Sequence, residues 1–212
     1  MLELYAIPVS LYCAKTRILL RYKGVEWVEI PPPGGYGSDE YKTVVASGNL
    51  PALRDGELLM ADSEAIAEYL NDRYPDPPAL PHDPISRAKC RERSRFHDTR
   101  LEPALRATFP YLPGRAKPTD EFLIEQSARL SALLRQLSQL LQDVPDAGGS
   151  VTLAECGFPV TFAWIDAMAP LMGLQIDWPS GVLAYRDRLS ALPVVADELQ
   201  NYRPILSEFL AT

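Results

Sequence analysis

Leu2-Glu3-Leu4-Tyr5-Ala6-Ile7 is a short, mostly apolar run of strand length, and Pro8 closes it. From Tyr12 to Lys23 the apolar spacing becomes helical and stops at Gly24, a residue suited to a helix C-terminus. Val25 to Ile30 predicts a second strand. After it come the Pro31-Pro32-Pro33-Gly34-Gly35 loop, a short helical stretch near Asp39 to Ala46, and a turn at Gly48-Asn49. Pro51 to Arg54 and Leu58 to Ala61 flank Asp55-Gly56, a two-residue hairpin signal. Ser63 to Arg73 then carries a helical stripe through Ile66, Ala67 and Leu70. The order is βαβ followed by ββα.

Residues Pro75 to Pro84 include Pro75, Pro77, Pro78, Pro81 and Pro84, a density suited to a semi-rigid connector, so a domain boundary is expected there. We expect one unit over residues 1–75, the connector over 76–84 and a second unit over 85–212. No strand run is evident in the second unit. Ile85 to about Ala107, Pro118 to Asp143, Thr152 to Met168 and Pro179 to Leu192 all predict helices, with Leu130, Leu133, Leu137 and Leu140 on one face of the second. The apolar run from Cys156 to Ile176 approaches membrane-spanning length. Asp166 near its middle, with Gly157, Pro159 and Pro170, makes it a helix buried in protein instead. The fold class expected is an α/β N-terminal domain plus an all-α helical C-terminal domain.

Among 212 residues, 47% are hydrophobic and 23% charged, the balance of a folded globular chain. Lys and Arg total 21 against 28 Asp and Glu, a formal charge of -7, so neither nucleic acid nor an anionic membrane is expected as a partner. A small anion cradled locally stays open. Cys13, Cys90 and Cys156 are odd in number and widely spaced, with no signal segment before them, which predicts free thiols and a reducing cytoplasm. His82 and His97 lie far from any paired cysteine, and no phosphate-binding glycine loop occurs, so no metal and no nucleotide chemistry is expected.

Three short segments carry candidate chemistry. Ser10-Leu11-Tyr12-Cys13 stands where the first strand hands over to the first helix, and unpaired N–H groups there stabilise an anion. Ser10 is either a plain N-cap or a hydroxyl donor to that anion. Cys13 is either a small buried group or a nucleophile. Leu50-Pro51 opens a strand after Gly48-Asn49; a cis bond there would expose the Leu50 backbone as an edge for an extended peptide-like ligand. Asp62-Ser63-Glu64 opens a helix and either caps it or, through Asp62 on an ammonium and Ser63 on a carboxylate, grips an amino-acid head group.

In this order and spacing the motifs resemble the cytosolic glutathione S-transferase superfamily over nearly the whole chain. The resemblance rests on Ser10-Leu11-Tyr12-Cys13 before Arg17, on Gly48-Asn49-Leu50-Pro51-Ala52-Leu53, and most specifically on Asp62-Ser63-Glu64-Ala65-Ile66-Ala67-Glu68-Tyr69-Leu70. Thr152-Leu153-Ala154-Glu155 is similar to that family's capping box, with Glu155 where Asp is usual. The resemblance implies a thioredoxin-like first domain, a homodimer, and glutathione as co-substrate beside a small hydrophobic electrophile.

By the same resemblance Ser10 ionises the glutathione thiol, as in serine-type members. The Leu50 backbone, with Asn49 and Pro51 beside it, meets the peptide, and Asp62 and Ser63 hold the γ-glutamyl head. Asn49 stands where many relatives carry Lys for the glycyl carboxylate, and Lys42 is the nearest alternative. Tyr12, Phe96, Phe109 and Tyr111 are candidate walls for the acceptor. The resulting expectation is a glutathione transferase. The alternatives are thiol transfer, reduction or isomerisation through Cys13, and a non-catalytic glutathione-binding or assembly module.

Overall fold

A computed structural model describes residues 1–142 and 150–211. Its first half holds β1 (Leu2–Tyr5), α1 (Leu11–Tyr22), β2 (Trp27–Ile30), α2 (Asp39–Val44), β3 (Ala52–Asp55), β4 (Leu58–Ala61) and α3 (Ser63–Arg73). The strands form one sheet in the order β2-β1-β3-β4, with β1 parallel to β2 and antiparallel to β3, and β3 antiparallel to β4. This is a thioredoxin-like domain. In the register of β1 and β3 Leu4 faces Leu53 and Tyr5 faces Ala52, and all four side chains are buried, so both faces of the sheet are covered here. Because Asp55 pairs with Leu58, the hairpin turn is Gly56-Glu57, one residue later than the sequence pattern suggests, and the positive φ of 59° falls on Gly56.

The second half is helical: α4 (Pro84–Phe96), α5 (Glu102–Arg106), α6 (Asp120–Leu140), α7 (Phe158–Met172), α8 (Ser180–Ser190) and α9 (Pro193–Ala211). The expected helix from Ile85 to Ala107 is interrupted by a π-helical turn over His97–Leu101. Pro103 follows that turn, and without an N–H it gives up an i→i−4 bond. The helix expected from Thr152 divides into a 3-10 turn at Leu153–Glu155 and α7, whose first turn accommodates Pro159. Thr152 and Glu155 form the reciprocal capping pair, the Thr152 N–H donating to Glu155 Oε2 at 3.0 Å. Gly157 must be glycine, because a Cβ there would lie 2.5 Å from His97 Cε1.

Helix α6 carries Leu130, Leu133 and Leu137 inward as expected; its expected end at Asp143 lies outside the described residues. Asp166, the charge inside the long apolar run, reaches the surface and pairs with Arg186 at 3.1 Å. No helix among the described residues is long and apolar enough to cross a membrane. The sequence pattern named no element after Leu192, and the structure adds helix α9 there. Pro193 opens the helix, and Val195, Leu199, Tyr202, Leu206 and Leu210 bury one face of it. Helix α1 packs on α3 in its own domain and on α7 and α9 of the helical half, so it is the element through which the halves meet.

Candidate functional site

The turn between β1 and α1 is held from two sides before it reaches Ser10. Arg17, 7% exposed, donates to the Ile7 and Pro8 carbonyls at 3.3 and 3.4 Å, and its fork is locked on Glu29 at 2.6 and 2.8 Å. From α9 the Tyr202 hydroxyl donates to the Val9 carbonyl at 2.5 Å while accepting from Trp164 Nε1 at 2.7 Å. Ser10 then caps α1: its Oγ accepts from the Cys13 N–H at 3.3 Å. Capping uses a lone pair and leaves the hydroxyl proton to be donated, so the two readings of Ser10 are compatible. Cys13 is a different matter. Its side chain is fully buried and stands behind the wall that Ser10 occupies, and burial pushes its thiol pKa up against the weaker pull of the Ser10 hydroxyl. The structure does not present Cys13 as a nucleophile.

Leu50-Pro51 is cis. The Leu50 backbone N–H and C=O make no hydrogen bond among the described residues, and Leu50 lines the same space as Ser10. Pro51 itself is buried beneath. Asn49 is exposed at the rim, its carbonyl accepting from the buried Tyr41 hydroxyl at 3.0 Å. Lys42 points elsewhere, to Asp39 at 3.2 Å. Asp62 caps α3 by accepting the Glu64 and Ala65 N–H groups on Oδ1, at 2.9 and 3.1 Å. It is the one non-glycine residue among those described with positive φ, at 88°, a costly conformation of the kind found at ligand-binding positions. Its Oδ2 makes no hydrogen bond among the described residues.

Beneath these groups lies a buried ionic cluster that joins the halves. Lys15, 2% exposed, reaches Glu64 of α3 at 2.6 Å and Asp98 of the π turn at 2.8 Å. Ser94 donates to Glu64 at 2.7 Å, and His97 bridges Asp98 and Thr161 at 2.7 Å each. Burial works against the Asp98 charge, but the His97 hydrogen bond and the Lys15 ammonium outweigh it and hold the carboxyl down at about 2. Tyr12 crosses the same boundary, donating to Glu102 at 2.9 Å and to the Asp98 carbonyl at 3.3 Å. Burial and the Glu102 and Asp98 charges raise its pKa well above the ordinary tyrosine value, which keeps it protonated.

Together these elements enclose a cavity of about 1000 Å³ between the two halves. Ser10, Tyr12, Asn49, Leu50, Asp62 and Ser63 all line it. Of the expected acceptor walls Phe109 lines it as well, stacked on Trp164 at 4.8 Å. Phe96 and Tyr111 do not: Phe96 packs into the interior, and Tyr111 turns to Phe122 at 4.4 Å. The mixed-charge run does contribute Arg95. Arg106, Arg115, Trp164 and Phe209 were not foreseen as lining residues. Phe209 belongs to the unexpected helix α9, and Trp164 was indistinguishable from core in a run that is apolar all round.

Residues 4–78 match the family model for the glutathione S-transferase N-terminal domain. The chain is 27% identical over 177 residues to a stringent starvation protein A homolog of Coxiella burnetii, covering 81% of this chain and 74% of that protein. It is 39% identical over 90 residues to glutathione S-transferase Z2 of Arabidopsis thaliana, a match that spans about two fifths of each, 41% and 40%. The fold of a Nilaparvata lugens delta-class glutathione transferase superposes with a TM-score of 0.82, covering 100% of this chain and 99% of that one at 23% identity.

Proposed function

From the place of this chain in the cytosolic glutathione S-transferase superfamily, we infer that it binds glutathione against the sheet-side wall of the cavity and delivers the thiolate to a second substrate on the helical wall. The observation that carries this reading is Ser10: a hydroxyl with a donatable proton, at the N-terminus of α1, on the cavity surface.

A thiol of pKa about 8.5 is mostly protonated at neutral pH, and lowering it by about two units requires about 2.7 kcal/mol of preference for the anion. A hydrogen bond to a charged group supplies about 1.5–3 kcal/mol and a helix N-terminus about 0.3–2 kcal/mol, so Ser10 and α1 suffice together. The thiol proton leaves to solvent. The sulfur pair then forms a C–S bond at an electrophilic carbon, and the leaving group departs with its bonding pair. In this reading Leu50 pairs its free N–H and C=O with the peptide, Asp62 Oδ2 takes the ammonium, and the Ser63 hydroxyl and N–H take the α-carboxylate. Residues 1–75 form the glutathione unit, 76–84 the connector and 85–212 the acceptor and dimerisation unit.

Ser10→Ala tests it. Thiolate absorbance of bound glutathione should disappear and kcat/KM fall on the order of 10²-fold, with glutathione affinity held within a few-fold. Unchanged thiolate absorbance would end the proposal. The Coxiella relative bears a name that states no reaction, which keeps a non-catalytic binder as the second reading. Glutathione binding with no turnover of a broad electrophile panel would favour it.

A further inference from the structure

The charges around the cavity are distributed unlike those of the chain. Among the described residues, five formally charged side chains line it: Asp62 on the sheet side, and Asp98, Arg95, Arg106 and Arg115 on the helical side. Asp98 is spent inward on Lys15 and His97. In a chain of formal charge -7, the helical wall therefore presents three guanidinium groups against one neutralised carboxylate.

Two of the three contact one residue, Phe109, Arg106 through its ring and Arg115 through its carbonyl. The Arg106 guanidinium lies over Phe109 at 5.0 Å and near the Tyr12 ring at 5.8 Å, and one of its nitrogens is anchored to the buried Glu102. Arg115 donates to the Phe109 carbonyl at 3.2 Å. Arg95 stands 3.7 Å from Asp98, next to the Tyr12 hydroxyl contact. A guanidinium has five N–H donors in a planar fork, so each retains donors for a ligand. Beside this cationic edge the Phe109 ring continues into Trp164 and, at 5.9 Å, Phe209. A shelf of three apolar rings, Phe109 stacked on Trp164 and Phe209 edge-on to it at 66°, thus borders a cluster of forked cations.

We propose that the second substrate is an aromatic electrophile bearing a carboxylate, its ring on the Phe109–Trp164–Phe209 shelf and its carboxylate on Arg106 and Arg115. The proposal rests on the glutathione transferase reading and narrows its acceptor from a neutral hydrophobic molecule to an anionic one. For an aryl halide the step balances: the glutathione thiolate adds to the ring carbon, the C–Cl bond breaks, and chloride leaves with the bonding pair.

The test compares a chlorodinitrobenzoate, with chlorine para to the carboxylate, with its methyl ester, dividing each kcat/KM by the uncatalysed rate constant. The carboxylate should show an enhancement about tenfold above the ester's, a value below the full worth of a charge-assisted bond because the arginines are partly exposed. Arg106→Gln and Arg115→Gln should both shrink that ratio, chiefly through KM of the carboxylate. Arg115, which has no buried acidic partner to orphan, keeps the test decisive if the Arg106 variant unfolds.

Equal enhancement for acid and ester, or a ratio untouched by both substitutions, overturns the proposal while leaving transferase activity intact. If neither compound is turned over, the transferase reading fails. Quenching of tryptophan fluorescence by dinitrobenzoate and by its ester then decides the ligand class. Tighter binding of the acid that weakens in both arginine variants supports the proposal, and equal binding overturns it.

Discussion

Ser10, Leu50 and Asp62 stand on one wall of the cavity, each at the end of a helix or strand, whereas Arg106, Phe109 and Trp164 face them across it from a helical scaffold. The first wall offers short side chains and backbone groups whose directions follow from the turn that carries them. The second offers long side chains whose positions depend on what they pack against: Arg106 on Glu102, Phe109 on Trp164, and Trp164 on Tyr202. Short groups at element ends give a fixed hydrogen-bonding pattern suited to one peptide. Rings and guanidinium groups on helices form a surface that a few substitutions would reshape. On the proposed function, a fixed chemistry and an adjustable specificity can therefore share one cavity.

Lys15 lies where the walls join, and its removal should break the comparison most severely. Lys15→Met leaves Glu64 and Asp98 as buried carboxylates without their common cation, at a cost of about 3–5 kcal/mol. A urea melt that kept its midpoint would show that the cluster does not join the halves. A smaller effect separates the walls by pH. The Asp98 carboxyl is held at about 2 in the folded protein, below the ordinary value of about 3.9, so its stabilisation is complete above that unfolded pKa and disappears as pH falls through the folded one. Between about pH 4 and 2 the chain should lose about 2–3 kcal/mol that the Asp98→Asn variant never had. Parallel stability profiles for the two proteins would exclude that role.

The smallest expected effect concerns the sheet-side wall alone. Cys13→Ala should leave conjugating and disulfide-reducing turnover within about twofold of the parent, because the sulfur is buried behind Ser10. A large loss of disulfide reduction in that variant would return Cys13 to the chemistry.

The legibility of the chain follows the same division. Strands β1 and β4, helices α1 and α3 and the Thr152–Glu155 cap were readable because a short apolar run bounded by turn residues, a capping residue or a glycine stop signals each within about ten residues. The π turn at His97–Leu101 was not, since it depends on how Pro103 and the His97–Thr161 contact share one helical run. Helix α9 was not read from the sequence, although Val195, Leu199, Tyr202 and Leu206 recur there at helical spacing. Phe96, Phe109 and Tyr111 looked alike as wall candidates, and packing admitted only Phe109 to the cavity.

The amino-acid order alone determined the βαβ-ββα succession, the helical second half and the place of Ser10, Leu50 and Asp62 at element ends. Those features arise from hydrogen bonds and apolar periods between near neighbours. Tertiary structure decided that Cys13 turns inward, that Lys15 finds Glu64 and Asp98, and that Arg95, Arg106 and Arg115 share a wall with Phe109 and Trp164. Contacts between residues dozens of positions apart depend on the packing of helices against one another, and no local period encodes which face of a buried helix meets the cavity.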